Sequence, residues 1–400
     1  MTAHAPDQIG WNAAVPPNGY HNRAAVDTSV TNDNPLGLLT EAGEVDIETT
    51  PEHRNLIKGD PRCATWTRSY DDPNVVALRE HLHEHNGIRG LEMVEPHEVE
   101  RAVSIFHRDG FVAITNALTP DQLALLGRGV DEVTKNILAA DPDGSVGGGA
   151  GGLPHRYSFG GTSTSRHMFH RPEWAQLIDL PTTTPILSAI FGSDAYIVYG
   201  SGGELTLPGA IEYQGLHSDN VWTELHDPIG GMTMRDLPTP VIHVNFPVVD
   251  LTPINGPIRV LPGTHRSRAP IPNLIDEPEW MRLSTVCPLP AGSAIIRDAR
   301  CWHSGTPNLS REIRALPNVE YMAPWFRSEA LIKSMSYDTW QTLTPHAQRI
   351  SRFIVRDRHE PVIGEGVNLP RRADREALYT QQLAELVGSG EDAAAYQRRT

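Results

Sequence analysis

The chain has little cysteine, no excess of basic residues and no long apolar run, and each lack argues against a class of protein. Its three cysteines, Cys63, Cys287 and Cys301, are odd in number and far apart in 400 residues. That spacing speaks against a disulfide framework and against a zinc ribbon. Lys and Arg total 34 against 49 Asp and Glu, a formal net charge of −15, and no Lys/Arg cluster interrupts the acidity. So acidic a chain has no general attraction for phosphate backbones, and no nucleic-acid partner is expected. No stretch approaches the roughly 18 apolar residues of a membrane span. The opening MTAHAPDQIGWNAAVPPNGY lacks the basic start and apolar run of a signal peptide. No membrane association and a cytoplasmic location are therefore expected. Nothing in the pattern speaks to oligomeric state.

What is present is material for one sizeable core. Hydrophobic residues make up 39% of the chain, and 34 glycines with 33 prolines favour turns and short strands over long helices. Residues 1–95 read as an irregular arm with short helices, one of them at NVVALREHLHEHN (74–86). EPHEVERAVSIF (95–106) reads as a helix with Val99, Val103 and Phe106 on one face. FVAIT (111–115) reads as a strand, and Thr119-Pro120-Asp121 as a helix start, with Thr119 at the N-cap and Pro120 at N1. The glycine-rich DPDGSVGGGAGG (141–152) lacks the Gly-Lys-Ser/Thr ending of a phosphate loop and has no strand leading into it, so a flexible loop near a site mouth is the better reading. From Tyr196 to Tyr321 short β-rich runs follow one another: AYIVYG, GELTLPG, TPVIHVNFPVVD, PIRVLPGTH, AGSAIIRDARCWH and ALPNVEYMAPW. Such spacing predicts a mainly β sandwich or barrel with flanking helices. Residues 328–400, including REALYTQQLAELV (375–387), read as a helical extension packing on the core.

Two motifs carry chemistry. In His217-Ser218-Asp219 the outer residues share one face of an extended strand and can point at one metal. A distant histidine, His303 in RDARCWHSGTPNLSREIR, would complete two imidazoles and one carboxylate, the donor set of an oxygen-activating iron(II) centre with open positions. Neither motif is specific alone, since the chain has 18 histidines. Arg314 follows His303 by eleven residues. If the chain turns back through SGTPNLS, the strand with Arg314 lies antiparallel beside that of His303, inside the same barrel. A buried guanidinium needs a carboxylate partner, and its planar fork suits a dicarboxylate.

With these residues in order, the chain resembles the phytanoyl-CoA dioxygenase family of iron(II)- and 2-oxoglutarate-dependent oxygenases. The resemblance runs over about residues 96–325: FHRDGFVAITNALTPDQLALL (106–126), HSD (217–219), NGPIRVLPGTHR (255–266) and AGS…HSGTPNLSREIR (291–314). It implies a double-stranded β-helix, a cupin-like jelly roll, spanning 96–327. It implies iron ligands His217, Asp219 and His303, with Arg314 holding the far carboxylate of 2-oxoglutarate. Dioxygen would be consumed, succinate and carbon dioxide released, and an unactivated C–H bond of a small molecule hydroxylated. The family often carries a serine two residues after the distal histidine. Here that residue is Gly305, flanked by Ser304 and Thr306, which are the candidate helpers for the co-substrate. Halogenases of related type replace the metal carboxylate with a small residue, so Asp219 favours hydroxylation, or desaturation or ring closure by the same centre.

For substrate contacts the candidates are Arg156, Tyr157 and Arg166, in the segment after the glycine-rich loop, and Trp222, three residues beyond Asp219. They would meet a polar or anionic molecule such as a secondary metabolite. A CoA thioester is not expected, because no basic cluster suits its phosphates. His226, His243 and His265 read as structural, although His243 and Asn245 share a strand face that would line a cavity. Two other readings stay open: a hydrolase using the same ligands with another divalent ion, and a jelly-roll binding protein that holds no metal.

Overall fold

Alternation along a few strands decides the architecture. In β9 (Arg314–Met322) Ala315, Val319 and Tyr321 turn to one side, and Arg314, Leu316, Asn318 and Glu320 to the other. Every residue of β9 is buried, so both faces of its sheet are covered. The computed structural model describes residues 10–11, 69–142, 144, 155–160, 168–219, 229–272, 274, 276–326 and 335–356.

The large sheet runs in the order β1 (Met93–Val94), β2 (Phe111–Ile114), β7 (Ala294–Asp298), β5 (Val241–Asn245), β9, β4 (Ile197–Thr206) and β3 (Arg156–Gly160). Its neighbours are antiparallel except for the parallel pair β1–β2. AYIVYG and GELTLPG, read above as separate runs, form the single strand β4, which carries a register shift between Val198 and Gly200. A second, two-stranded sheet joins β6 (Arg259–Val260) to β8 (His303–Ser304). The two sheets face each other as in the expected jelly roll.

The outer face of the large sheet is apolar and lies under helices. Val112, Tyr157, Phe159, Leu205, Val244, Ile296, Val319 and Tyr321 form one core with Phe106, Leu126, Val130, Trp174, Ile186 and Leu187. Those last six come from α2 (Val99–Asp109), α3 (Pro120–Ala140), α4 (Pro172–Ala175) and α5 (Thr184–Phe191). On α2 the fully buried residues are Ala102, Ile105 and Phe106, while Val99 and Val103 pack only partly against the core. Between the sheets a second cluster of Phe111, Ile258, Val260, Ile295, Cys301 and Leu316 fills one part of the interior. The rest of the interior is polar and holds the site.

Most of the N-terminal arm and residues 357–400 lie outside the described residues, so the readings of an irregular arm and of a helix at 375–387 find no structure to meet. From the arm, Trp11 donates from Nε1 to the Ser310 carbonyl at 2.9 Å and meets Tyr70 edge-on. The helix at 74–86 is α1 (Pro73–His85). Among the described residues no helix is long and apolar enough to cross a membrane. Cys287 and Cys301 are buried free thiols.

At the start of α3 the predicted cap is present. Thr119 Oγ1 accepts from the Gln122 amide at 3.3 Å, and Gln122 Oε1 accepts from the Thr119 amide at 2.9 Å. This reciprocal box satisfies donors that a helix start otherwise leaves open. Thr119→Ala should lower the unfolding free energy by about 1 kcal/mol, read as a shifted midpoint with unchanged slope in urea denaturation.

Candidate metal centre

The ligand set is assembled by backbone pairing. His217 and His303 exchange amide bonds across an isolated antiparallel bridge, N to O at 3.1 and 3.0 Å, which brings their rings, tilted by 52°, to 4.3 Å between centroids. Two residues on, the Asp219 amide donates to Ala299 O at 2.9 Å, so its carboxylate stands on the same side as His217. His303 Nε2 lies 3.4 Å from Asp219 Oδ2, and His217 Nε2 lies 3.9 Å from Oδ1. The ligand atoms of all three lie within 4.8 Å of one another and could hold a metal ion.

The tautomers suit that use. His217 Nδ1 faces the Gly215 carbonyl at 3.1 Å and His303 Nδ1 the Cys301 carbonyl at 2.9 Å. A carbonyl only accepts, so each Nδ1 carries the proton and each Nε2 keeps its lone pair. Arg297 Nη1 also approaches His303 Nδ1, at 3.1 Å. Both are donors in this tautomer, so that approach is a contact, and the hydrogen bond of Nη1 goes to Asp219 Oδ2 at 2.9 Å. Burial pushes His303 down to about 4 and His243 to about 3, so both are neutral at pH 7. Burial works to raise the Asp219 carboxyl, but His303, Arg297 and His243 outweigh it and hold it well below the usual carboxylate range.

Arg314 is buried at the start of β9, but it arrives by another route than the one expected. The chain after His303 does not turn back beside it. It crosses from the small sheet to the large one, where β9 pairs with β4 and β5. Asn308 pins the crossing by donating from Nδ2 to Thr206 O (3.1 Å) and Glu312 O (2.8 Å). Arg314 Nη2 donates to Thr206 Oγ1 at 2.6 Å, and its buried Nε has no hydrogen-bond partner among the described residues. Burial lowers its pKa to about 10 despite the nearby Glu204.

The candidate helpers are engaged elsewhere. Ser304 Oγ accepts from Arg259 Nε, and Thr306 Oγ1 donates to the Pro257 carbonyl at 2.6 Å. Neither contact supports a hold on the co-substrate. Arg156 donates to the carbonyls of Glu212 and Thr306 at 2.7 and 2.5 Å, so its guanidinium braces backbone where a substrate contact was expected. Its position also explains Gly305, because a Cβ there would stand 2.6 Å from Arg156 Nη1. Tyr157 corrects the sequence reading too. Alternation in β3 turns it to the outer face, where it joins the helix-covered core and donates to Asp141 Oδ2 at 2.5 Å. Arg166, Trp222 and His226 lie outside the described residues. His265 is buried, as a structural residue would be.

His243 was read as structural but stands at the site, with Nδ1 3.7 Å from Asp219 and 4.0 Å from Glu320. Sequence reasoning also passed over Arg297, Glu204 and Glu320. Part of the signal was available in the pairs His243 and Asn245, Asn318 and Glu320, and Glu204 and Thr206, polar residues two apart that mark one face of a strand.

The model of the phytanoyl-CoA dioxygenase (PhyH) family matches residues 106–316, more than half of the 400. The chain belongs to this family. The match spans α2 to β9 and includes His217, Asp219, His303 and Arg314. Similar solved structures include AviO1 from Streptomyces viridochromogenes Tue57, at 19% identity and TM-score 0.40, over 58% of this chain and 97% of that one. Others are the non-haem α-ketoglutarate-dependent epimerase SnoN of nogalamycin biosynthesis (19%, TM-score 0.41, 57% and 84%) and the carbocyclase SnoK of the same biosynthesis (18%, TM-score 0.39, 57% and 85%).

Two outcomes follow from this geometry. Gly305→Ser, which restores the residue the family often has, should cost about 1–3 kcal/mol of stability by overpacking. Arg156→Ala in the same chain should recover part of that loss, as thermal denaturation of the single and double variants will tell. The second outcome concerns Glu320, whose carboxyl is pushed up to about 8, first by burial and then by Asp219. A raised carboxyl favours the fold fully below its unfolded value of about 4.5, and that contribution is lost as pH rises through about 8. Glu320→Gln cannot lose a proton, so its melting temperature relative to the metal-free wild type should climb across that window. A difference that stays constant with pH would refute the assignment.

Proposed function

We propose that this protein is an iron(II)- and 2-oxoglutarate-dependent dioxygenase that hydroxylates an unactivated C–H bond of a small molecule. The observation that carries the reading is the convergence of the Nε2 atoms of His217 and His303 with the Asp219 carboxylate. Two imidazoles and one carboxylate suit iron(II) and leave positions open. Arg314 fits the co-substrate on its own terms: it is buried, its described hydrogen-bond partner is one hydroxyl, and its Nε has none. A guanidinium so placed suits a carboxylate that binds through two parallel N–H groups. A divalent-metal hydrolase would give such an arginine no task.

When bound, iron with 2-oxoglutarate supplies from dioxygen an oxidant able to take hydrogen from carbon, with succinate and carbon dioxide released. The side chains bind, orient and shield. His217, Asp219 and His303 would hold the metal, and Arg314 the far carboxylate of 2-oxoglutarate. Arg297, bonded to Asp219 Oδ2, fixes the rotation of that carboxylate and leaves Oδ1 towards His217. Arg156 keeps the backbone beside His303 in place through Thr306. The family match falls within residues 96–327 and supports that stretch as the oxygenase domain.

Turnover of 2-oxoglutarate to succinate without added substrate tests the assignment. His217→Ala should abolish iron-dependent turnover. Arg314→Ala should raise the 2-oxoglutarate concentration needed for half-maximal turnover about 10- to 100-fold, the worth of a hydrogen bond to a charged group. Wild-type behaviour in both variants would overturn the assignment.

A further inference from the structure

The inner face of the large sheet carries more negative charge than the proposed chemistry uses. Across from Asp219, His243 pairs in register with both Arg297 and Glu320, which sets these three side chains in one row. In the next row along the strands Asn245 pairs with Asn318. Beyond them Glu204 pairs with Leu316, and Thr206 with Arg314. On β4 the residues opposite Glu320 and Asn318 are Gly200 and Gly202, so that side of the patch bears no side chain.

The acceptors on this patch outnumber its donors. No described residue donates a hydrogen bond to Glu320, and its nearest basic group is the neutral His243 at 4.0 Å. Glu204 accepts from the Ser158 hydroxyl at 2.8 Å and has no cation within ion-pair distance. Asn245 and Asn318, 4% and 2% exposed, each leave a buried carboxamide oxygen without a donor. The cations in reach have other partners, since Arg297 bonds Asp219, Arg156 bonds the carbonyls of Glu212 and Thr306, and Arg314 faces the co-substrate in the reading above. A charge carried into such an interior calls for a partner. Burial raises Glu204 to about 7 and Glu320 to about 8, as it does for carboxylates that lack one.

We infer that the substrate carries a cationic nitrogen, a protonated amine, which seats on Glu320 beside Asn245 and Asn318. An ammonium group brings one positive charge and several N–H donors to a surface made of acceptors. Asn245 and Asn318 can present their oxygens to it by turning the carboxamide. Seated there, the amine directs a neighbouring carbon of the same molecule towards the metal ligands. This inference rests on the proposed iron and 2-oxoglutarate site and names the substrate class for it.

The test uses the full chain loaded anaerobically with iron(II) and 2-oxoglutarate, followed by the weak visible band of that chelate. Cyclohexylammonium, cyclohexanol and cyclohexanecarboxylate serve as probes of one shape and three charges, titrated at a pH above 8. The ammonium should perturb the band at a concentration about tenfold or more below the other two, as one charged hydrogen bond allows. Glu320→Gln should abolish that preference, and Glu320→Asp, which keeps the charge, should restore part of it. Comparing probes within each protein separates a lost preference from a damaged site. Absence of the band in the wild type would overturn the proposed function itself. A normal band with no preference for the ammonium, or a preference that survives Glu320→Gln, would overturn the cationic substrate alone.

Discussion

Ionisable side chains, among them Asp219, Arg297, Arg156, Arg314, Glu204 and Glu320, are held in the space between two sheets, and the rest of the structure has to make that tenable. Removing a charge from water is expensive unless a partner of opposite sign or a set of hydrogen bonds replaces the solvent. Asp219 obtains Arg297. Arg314 obtains Thr206 and a more distant Glu204. The bill for this is met on the other side of the same strands, where Val319, Tyr321, Val244 and Leu205 are packed under α2, α3, α4 and α5. One sheet thus carries an apolar face that stabilises the fold and a polar face that the fold must tolerate. Strained polar faces of this kind are where local rules of stability give way to function.

The division also explains how a substitution far from the metal would reach it. Gly305 is small because Arg156 occupies the space in front of it, and Arg156 in turn ties β3 to the carbonyls of Glu212 and Thr306. Those carbonyls flank the two chain segments that bring His217 and His303 together. The brace is made of backbone acceptors, so it can position the ligands without competing for the metal. Asn308 plays the corresponding part for Arg314 by fixing the crossing between sheets.

Much of this was legible in the sequence, but unevenly. The i, i+2 spacing of His217 and Asp219 reports a strand face directly, and it held. So did the cap at Thr119, because a capping box is local chemistry. The burial of Arg314 was legible, while its route was not. A return turn after His303 and a crossing to the opposite sheet use the same residues and spacing, and only tertiary pairing distinguishes them. Tyr157 was misread for a related reason. Residues next to each other in a strand face opposite ways, so naming Arg156 and Tyr157 together as contacts could not be right for both. Glu204 and Glu320 escaped notice because a glutamate in a short β run looks like an exposed position. It becomes conspicuous only when the strand is known to be covered on both faces.

The convergence of the candidate ligand set has a physical cause. Three donor groups turned towards one another would ordinarily be pushed apart by crowded lone pairs and by the desolvation of a carboxylate. Here the two histidines are locked by a reciprocal backbone bridge, and each ring is oriented by a carbonyl behind it. Asp219 is held by its amide bond to Ala299 and by Arg297 at Oδ2. The guanidinium places positive charge beside the carboxylate and favours its ionised form. A site organised in advance spends little of the metal's binding energy on ordering its ligands. It is therefore Arg297, on β7, that holds the carboxylate of the candidate ligand set in position.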